Sequence, residues 1–587
     1  MSGGGGSGER LHRSEKQEDV RNTNLEAAKA LASSIRTSLG PKGMDKMVVQ
    51  GDGSVTVTND GATILDRMQV TSPAARMLVE LSKSQDVQAG DGTTSVVVLC
   101  GALLTQCSQL LSKGVHPTVI SDAMHSAASQ ANEIVEQSLA VHVDLNDHTS
   151  LVKAATTALS SKVVAQYSHV FAPIAVDSVL RIVNRNKPEI VDLNDIKIVK
   201  KGGSTCEDTE LSDGLVFDGR ASKGSNNGPT SIQNAKIAIA QFCISPPKTD
   251  MESNVVVKDY QAMDRVLKEE RNYVLQVIKK VKASGCNVLL VQKSILRDAL
   301  TDLARHYLAK AKILFVSDIE RNDIEFIAKT LNCSPVANID HLTSDKLGEA
   351  ELVKEESCGD GHITRVTGIK NKGNTATVLV RGSNQQVLEE AERSLHDSLC
   401  AMRCLVLKQY LIPGGSAPEI EIAQQLTAQA KGMTGMESYV VRAFAEAMEV
   451  VPYTLAENAG LKPIETVTEL RNAHAEGKVS HGINVRKGAI ADIREENVMQ
   501  PMLVTTSANS LATETVRMIM KIGTFFELDF WLLMYVCLSH GLKSLTNVLH
   551  MQTTSSRRDN HSEQALRLWA RLRRPVDVMH VNMNCRY

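Results

Sequence analysis

With 587 residues, the chain is long enough for several domains, each with its own core. Its 65 basic and 67 acidic residues leave a formal net charge of −2, and only 3% of residues are aromatic. That balance gives no electrostatic footprint for nucleic acid or a membrane surface, and no base-stacking surface.

The opening Met1–Gly8 stretch is rich in glycine and serine and lacks the apolar core of a signal peptide, so residues 1–20 are expected to form a flexible tail. No uninterrupted apolar stretch approaches the length of a membrane span. Residues 25 to 139 read as mostly helical, broken by a strand region in which Val48-Val49 and Val55–Thr58 alternate around Gly51 and Gly53, predicting a hairpin. Asn59-Asp60-Gly61 is then a turn before a helix, which puts Asp60 at a strand-to-helix junction where Asp is also an ordinary cap. Val96–Leu99 has the look of a buried strand. The apolar pattern continues through Leu103, Leu104, Leu110 and Leu111 without a proline, however, and that length favours a buried helix.

From 151 to 213 comes helix followed by short strands, including Ile196–Val199. Ile237–Ala240, Val288–Val291 and Ile313–Val316 are short apolar strands separated by helical segments, the texture of an α/β domain. Within it, 259–281 predicts an amphipathic helix with Met263, Leu267, Val274, Ile278 and Val281 on one face. A strand at 376–380 and a helix from Gln385 towards Gln409 follow. After a break at Ile412–Ser416 the chain becomes helical again. An α/β insertion between two helical flanks suggests that the flanks form one discontinuous domain.

Eleven cysteines without a CxxC pair read as reduced thiols of a cytosolic protein, and sixteen histidines show no HxxxH or HExxH spacing for zinc. Cys400 and Cys404 share a helix face that could hold metal, but no second Cys/His pair lies nearby, so a buried apolar face is the simpler reading.

Gly90-Asp91-Gly92-Thr93-Thr94-Ser95 packs a carboxylate, two glycines and three hydroxyls into six residues that open a helix. Glycines let backbone N–H groups approach an anion, hydroxyls donate to phosphate oxygens, and a helix N-terminus adds partial positive charge. Asp91 would repel a phosphate, so a hard cation such as Mg²⁺ between them is the natural inference. An Asp-Gly-Thr turn capping a buried helix would account for the same residues with no ligand.

Spacing separates these readings. Ser38–Gly43, Thr58–Thr63, Gly90–Ser95, and Gly414-Gly415 followed by Pro418-Glu419 occur in chaperonin order. Over residues 20 to 522 the chain resembles a group II chaperonin subunit. Residues 286–300 and 435–439 match one of the eukaryotic cytosolic subunit types more closely.

The resemblance implies a multidomain α and α/β chaperonin fold. It comprises a mostly helical equatorial domain (21–150 and 409–522), a small intermediate domain (151–215 and 373–408), and an α/β apical domain (216–372) with a helical protrusion at about 245–281. It also implies an ATP site with Mg²⁺. Leu39, Gly40, Pro41 and Gly61 would border the phosphates, and Asp91 would bind Mg²⁺. Gly92, Thr93, Thr94 and Ser95 would cradle the β- and γ-phosphates. Asp60 and Asp397 match the carboxylates that orient or activate the attacking water. Lys162 matches a lysine that senses the γ-phosphate. Gly415, Gly482, Asn484 and Glu495 would line the base and ribose. Ile324, Ile327 and Leu331, on the amphipathic segment Arg321–Leu331, match an apical helix facing the cavity and would touch substrate.

The implied activity is ATP hydrolysis that drives lid closure of a hetero-oligomeric double ring. Its partners would be paralogous subunits and unfolded cytosolic proteins such as actin and tubulin, in the cytoplasm, without nucleic acid or membrane. The chain departs from the family at two places. Ser416 stands where a third glycine is usual, and a serine there crowds the loop if the position needs positive φ. From Gly523 onward the sequence is unfamiliar, which reads as an atypical tail, either a real appended segment or the product of an altered reading frame. A second reading is therefore an assembly-impaired isoform. A third, a small-molecule kinase, lacks a GxxxxGK[ST] loop.

Overall fold

The computed structural model describes residues 6–51, 53–183, 191–222, 228–246, 257, 259–295, 298–359, 361–370 and 372–522. The 523–587 segment, both tryptophans included, lies outside them.

Helix α1 (Gly6–Ile35) begins well before residue 20, so most of the stretch expected as a flexible tail is helical. The reason is local: after Gly8 the sequence is free of proline and glycine and rich in Glu, Arg, Lys and Gln, all good helix formers. Strands β1 (Lys46–Val49) and β2 (Val55–Thr58) then form the antiparallel hairpin, with Lys46 opposite Thr58. Helices α2 (Gly61–Arg67), α3 (Pro73–Gln88), α4 (Thr93–Ser112) and α5 (Pro117–Ile134) follow, with a short strand β3 (Val141–His142). Val96–Leu99 are thus helical. By length and apolarity α4 would pass for a membrane span, but 67% of that window is buried inside the protein. Its all-round apolarity is that of a central core helix.

Helices α6 (His148–Leu159) and α7 (Ser168–Ile182) lead into strands β4 (Ile196–Gly202) and β5 (Glu210–Ser212). Next comes a six-stranded sheet with its helices: β6 (Leu215–Asp218), β7 (Ser231–Ala240), α8 (Tyr260–Ala283), β8 (Val288–Gln292), α9 (Asp302–Lys310), β9 (Leu314–Ile319), α10 (Arg321–Leu331), β10 (Gly348–Cys358) and β11 (Gly361–Ile369). The strand order is β6-β11-β10-β7-β8-β9, with β7, β8 and β9 parallel. Strand β12 (Ala376–Gly382) pairs in parallel with β4, and helix α11 (Gln385–Leu407) follows it. The remainder is β13 (Tyr410–Pro413), α12 (Ala417–Gly432), α13 (Met436–Met448), α14 (Val450–Asn458), α15 (Pro463–Ala475), β14 (His481–Asn484), β15 (Ala489–Asp492), β16 (Met499–Pro501) and α16 (Met502–Lys521).

The buried apolar residues explain how these elements group. One cluster draws on both flanks, from Leu25 to Leu139 and again from Ile412 to Met520. A second joins α6 and α7 to β4, β12 and α11. The six-stranded sheet has two, because side chains alternate along each strand. Ile237, Ile239, Leu290 and Val316 face α10, whereas Ala238, Ala240, Leu289 and Phe315 face α8 and α9.

That alternation decides two expectations. Val274, Ile278 and Val281 of α8 are buried against the sheet, but Met263 and Leu267 are exposed, so only the C-terminal half of the expected face enters the core. Ile324, Ile327 and Leu331 are at most 3% exposed and pack on the opposite sheet face. They are core residues here, and the substrate-contact expectation for them is corrected: α10 turns Arg321, Asn322, Glu325 and Lys329 outward instead. The nine cysteines among the described residues are all free.

Leu103 lies at the centre of the shared core and is fully buried. Leu103→Ala is expected to cost about 2–5 kcal/mol, because the lost methyl groups leave a cavity that packed helices close only in part. Urea unfolding followed by far-UV circular dichroism would show the loss as a lower midpoint.

Candidate functional site

Two helix N-termini converge on a cavity of about 580 Å³ lined by the 38–42 loop, Asn59, Asp91–Ser95, the end of α6 through Lys162, the 414–419 turn, Asn484 and residues 496–501. The first is α4. Its N-cap, Gly92, sits at φ +77°, a left-handed conformation open to glycine, and no side chain caps the helix. The N–H groups of its first turn therefore have no intrahelical partner, and the positive end of the helix dipole is at the cavity, an arrangement suited to an anion. Asp91 Oδ1 accepts from Gly92 N at 2.7 Å, and the Asp91 carbonyl accepts from Gln85 Nε2 at 3.0 Å. The second is α12, entered through Gly415 and Ser416.

Beneath α4 lies Asp60. It caps α2: Oδ2 accepts from Thr63 N at 2.9 Å and from Thr63 Oγ1 at 2.7 Å, while Oδ1 accepts from Thr93 Oγ1 at 2.8 Å. Gly61 packs so closely that a Cβ there would stand 2.8 Å from Thr94 N, which is why the α2 start can support the α4 loop. Asn59 Nδ2 donates to the Ser161 carbonyl at 3.1 Å, tying the hairpin end to the loop that carries Lys162.

Lys162 Nζ lies 2.5 Å from Asp397 Oδ2, with side chains 8% and 6% exposed. Burial works against the Lys162 charge, but Asp397, Asp60 and Asp91 outweigh it and raise its pKa above the ordinary lysine value. Burial pushes the Asp397 carboxyl well above the usual range; Lys162 opposes that, and the charges of Asp60 and Asp91 add to it. Burial also raises Asp91. For Asp60, burial is overcome by Lys162 and the Thr63 and Thr93 donors, so its pKa is lowered. Asp86 joins this field, raised by burial and by Asp60. One ammonium thus faces the carboxylates of Asp397, Asp60 and Asp91, while Asp86 feels His396 and Arg403 as well.

Most of the residues named from sequence meet at this cavity: Leu39, Gly40, Pro41, Asp91, Gly92, Thr93, Thr94, Ser95, Lys162, Gly415 and Asn484 line it. Asp60, Gly61 and Asp397 lie just behind the lining. Gly482 backs the turn, where a Cβ would stand 2.9 Å from the Gly415 carbonyl. Glu495 is exposed and does not line the cavity, a correction. Its neighbour Glu496 does, paired with Lys487, because adjacent residues of the 493–497 turn face different ways. Asn59 and Glu419 line the cavity and were overlooked, although both fall inside the motifs quoted above; Asp86 carries no motif signal. Cys400 and Cys404 are buried against the Ala89-Gly90 turn, not in a metal site.

Among the described residues, no three His, Cys, Asp or Glu side chains converge as a self-sufficient metal cage. The surplus of carboxylate beside Lys162 nevertheless fits Mg²⁺, which binds through one or two carboxylates together with phosphate oxygens and water.

Two outcomes follow from the α12 turn. Ser416 sits at φ +64°, so the crowding condition raised by the sequence is met. Ser416→Gly relieves a left-handed cost of about 1–2 kcal/mol against about 0.4–1 kcal/mol of added unfolded-chain entropy. The expected net gain is up to about 1.6 kcal/mol, read as a higher thermal midpoint. Glu419 has its Oε2 sealed from solvent without a partner, and burial pushes its pKa up to about 7. A carboxyl raised in the fold binds its proton more tightly there than in the unfolded chain, so stability falls as pH rises from the ordinary glutamate value to about 7 and is flat above. The thermal midpoint of Glu419→Gln should lose this descent, its advantage over the parent chain growing across that window.

The profile of the TCP-1/cpn60 chaperonin family matches residues 31–526. T-complex protein 1 subunit delta of Arabidopsis thaliana is 63% identical over 507 residues, 86% of this chain and 94% of that protein. The subunits of the same name from Dictyostelium discoideum and Homo sapiens are 60% and 57% identical, covering 86% and 89% of this chain and 95% and 96% of theirs. A family match over most of the length, carried by relatives that are themselves spanned almost completely, makes this chain a member of the TCP-1/cpn60 chaperonin family.

Proposed function

We propose that the cavity is the ATP-hydrolysing site of one subunit in a hetero-oligomeric double-ring chaperonin. Membership of the family makes the chain an ATP-dependent chaperone subunit; the proposal concerns which residues do the work. The observation that carries it is the convergence of four sequence-distant segments, 39–41, 91–95, Lys162 and 415–419, on one cavity with Asp60 and Asp397 directly behind.

The α4 N-terminus and the hydroxyls of Thr93, Thr94 and Ser95 receive the phosphates. Asp91 holds Mg²⁺, which when bound neutralises charge on the transferring phosphoryl group. Asp60, its pKa lowered, stays ionised and fixes the Thr93 hydroxyl. Asp397, held 2.5 Å from the Lys162 ammonium beside the cavity, is placed to take a proton from the attacking water. Lys162 lines the cavity while paired with Asp397, so an arriving γ-phosphate competes with Asp397 for its ammonium. Phosphoryl transfer of this kind needs positioning and charge neutralisation, with little covalent work by the protein.

We assign the core shared by both chain ends to the equatorial domain, the α6, α7 and α11 core to the intermediate domain, and the six-stranded sheet to the apical domain, with the exposed half of α8 in its protrusion. On this reading hydrolysis drives lid closure over unfolded cytosolic clients. The comparisons lend no support to an assembly-impaired isoform.

In an assembled ring, Asp397→Ala is expected to leave nucleotide affinity within about twofold while lowering turnover by about 10²–10⁴-fold, the usual contribution of a general base. Nucleotide binding by fluorescence titration and phosphate release in single turnover separate the two quantities. Unchanged hydrolysis would sink the assignment.

A further inference from the structure

Helix α11 carries Asp397 into the site, and one and two turns further along it grips the loop that carries Asp91. Arg403 Nη2 donates to the Val87 carbonyl at 2.7 Å and to the Gln88 carbonyl at 3.1 Å. These are the last carbonyls of α3, which the helix itself leaves without donors, and a cation there also meets the negative end of the α3 dipole. Cys404 Sγ lies 3.5 Å from the Ala89 carbonyl. Cys400 closes the contact: a Cβ on Gly90 would stand 2.1 Å from the Cys400 Cβ, so this turn can approach α11 only as glycine. The chain then runs directly into Asp91 and the first turn of α4.

Asp397, Cys400 and Cys404 recur at i, i+3 and i+7, hence on one face of a rigid rod. From the other side, Gln85 anchors the same loop to α16, donating to the Asp91 and Val504 carbonyls and accepting from Ser507 Oγ at 3.1 Å. The loop is therefore held by a fixed anchor on one side and by α11 on the other. Burial raises the thiols of Cys400 and Cys404, the latter to about 12, so both serve as packing groups and not as nucleophiles.

We propose that Arg403 is a positioning residue for hydrolysis: its grip on the Val87 and Gln88 carbonyls sets the register between α11 and the Asp91 loop, and so brings Asp397 and Asp91 to the same phosphate. This rests on the ATP-site reading above. Arg403 does not line the cavity; it acts through the two carboxylates.

The test uses the full chain assembled with its partner subunits. Arg403→Met keeps the apolar stem and removes the donors. It is expected to lower kcat by about 10- to 100-fold, the scale of a small misplacement of reacting groups. KM and the affinity for fluorescent ATP should stay within about twofold. Arg403→Lys, which restores a cation at the carbonyls, should recover much of the lost kcat. Combined with Asp397→Ala, Arg403→Met should add little, since the two act as one unit. Wild-type kcat in Arg403→Met overturns the inference, as does a parallel loss of nucleotide affinity or failure of Lys to rescue. Full activity of Asp397→Ala alone would instead bring down the underlying site assignment. Should the Met chain not assemble, Arg403→Gln, with one amide donor, takes its place: turnover between wild type and Asp397→Ala supports the inference, and wild-type turnover overturns it.

Discussion

Everything at the candidate site is arranged around one buried ammonium. Lys162 sits against Asp397 with both side chains almost sealed from solvent, and Asp60, Asp86 and Asp91 share its field. A buried ion pair is weak evidence for stability, because removing two charges from water costs about as much as their attraction returns. Here the balance is worse still, since Asp397, Asp60 and Asp91 share the one Lys162 ammonium. Such an arrangement makes sense as a site that is completed by added positive charge and by phosphate, and the raised pKa values of Asp91 and Asp397 are its signature.

The supporting architecture explains how that pair is held. The hairpin ends at Thr58 and turns through Asn59 and Asp60 into α2; Asp60 reaches forward to Thr93, and Asn59 reaches sideways to the Ser161 carbonyl. Short side chains at strand-to-helix junctions thus stitch the α4 loop, the Lys162 loop and the hairpin into one wall. Ser394 and Leu395 pack inward on the same helix that bears Asp397, so the acid is presented from a buried face. None of these contacts is large; their effect lies in joining segments 33 and 102 residues apart in sequence.

Much of this was legible beforehand because it is local. Short apolar runs located β7, β8 and β9, a helical apolar face located α8, and glycine with Asp and Thr marked the α4 start. What was not legible depended on neighbours. The amphipathic pattern of Arg321–Leu331 says that Ile324, Ile327 and Leu331 need cover but not what covers them, and the sheet does so. At 495–496 two glutamates stand side by side in a turn, and only the backbone path decides that Glu496 faces the cavity. Arg403 and Asp86 lack any sequence signature, since their partners are backbone carbonyls and a distant charge field. The family resemblance supplied Asp397, which composition and spacing would have left as an ordinary helix acid.

The core shared by the two ends of the chain has a consequence during synthesis. Leu139 closes its first part and Ile412 opens the second, with 272 residues between them. At about 5–20 residues per second, the ribosome needs on the order of 15–55 s to span that gap. Throughout that interval α4, apolar on nearly every side, is without the α13 and α16 surfaces that complete its burial. The nascent subunit therefore passes through a long stage of exposed apolar helix, the condition that its own ring exists to relieve in other chains.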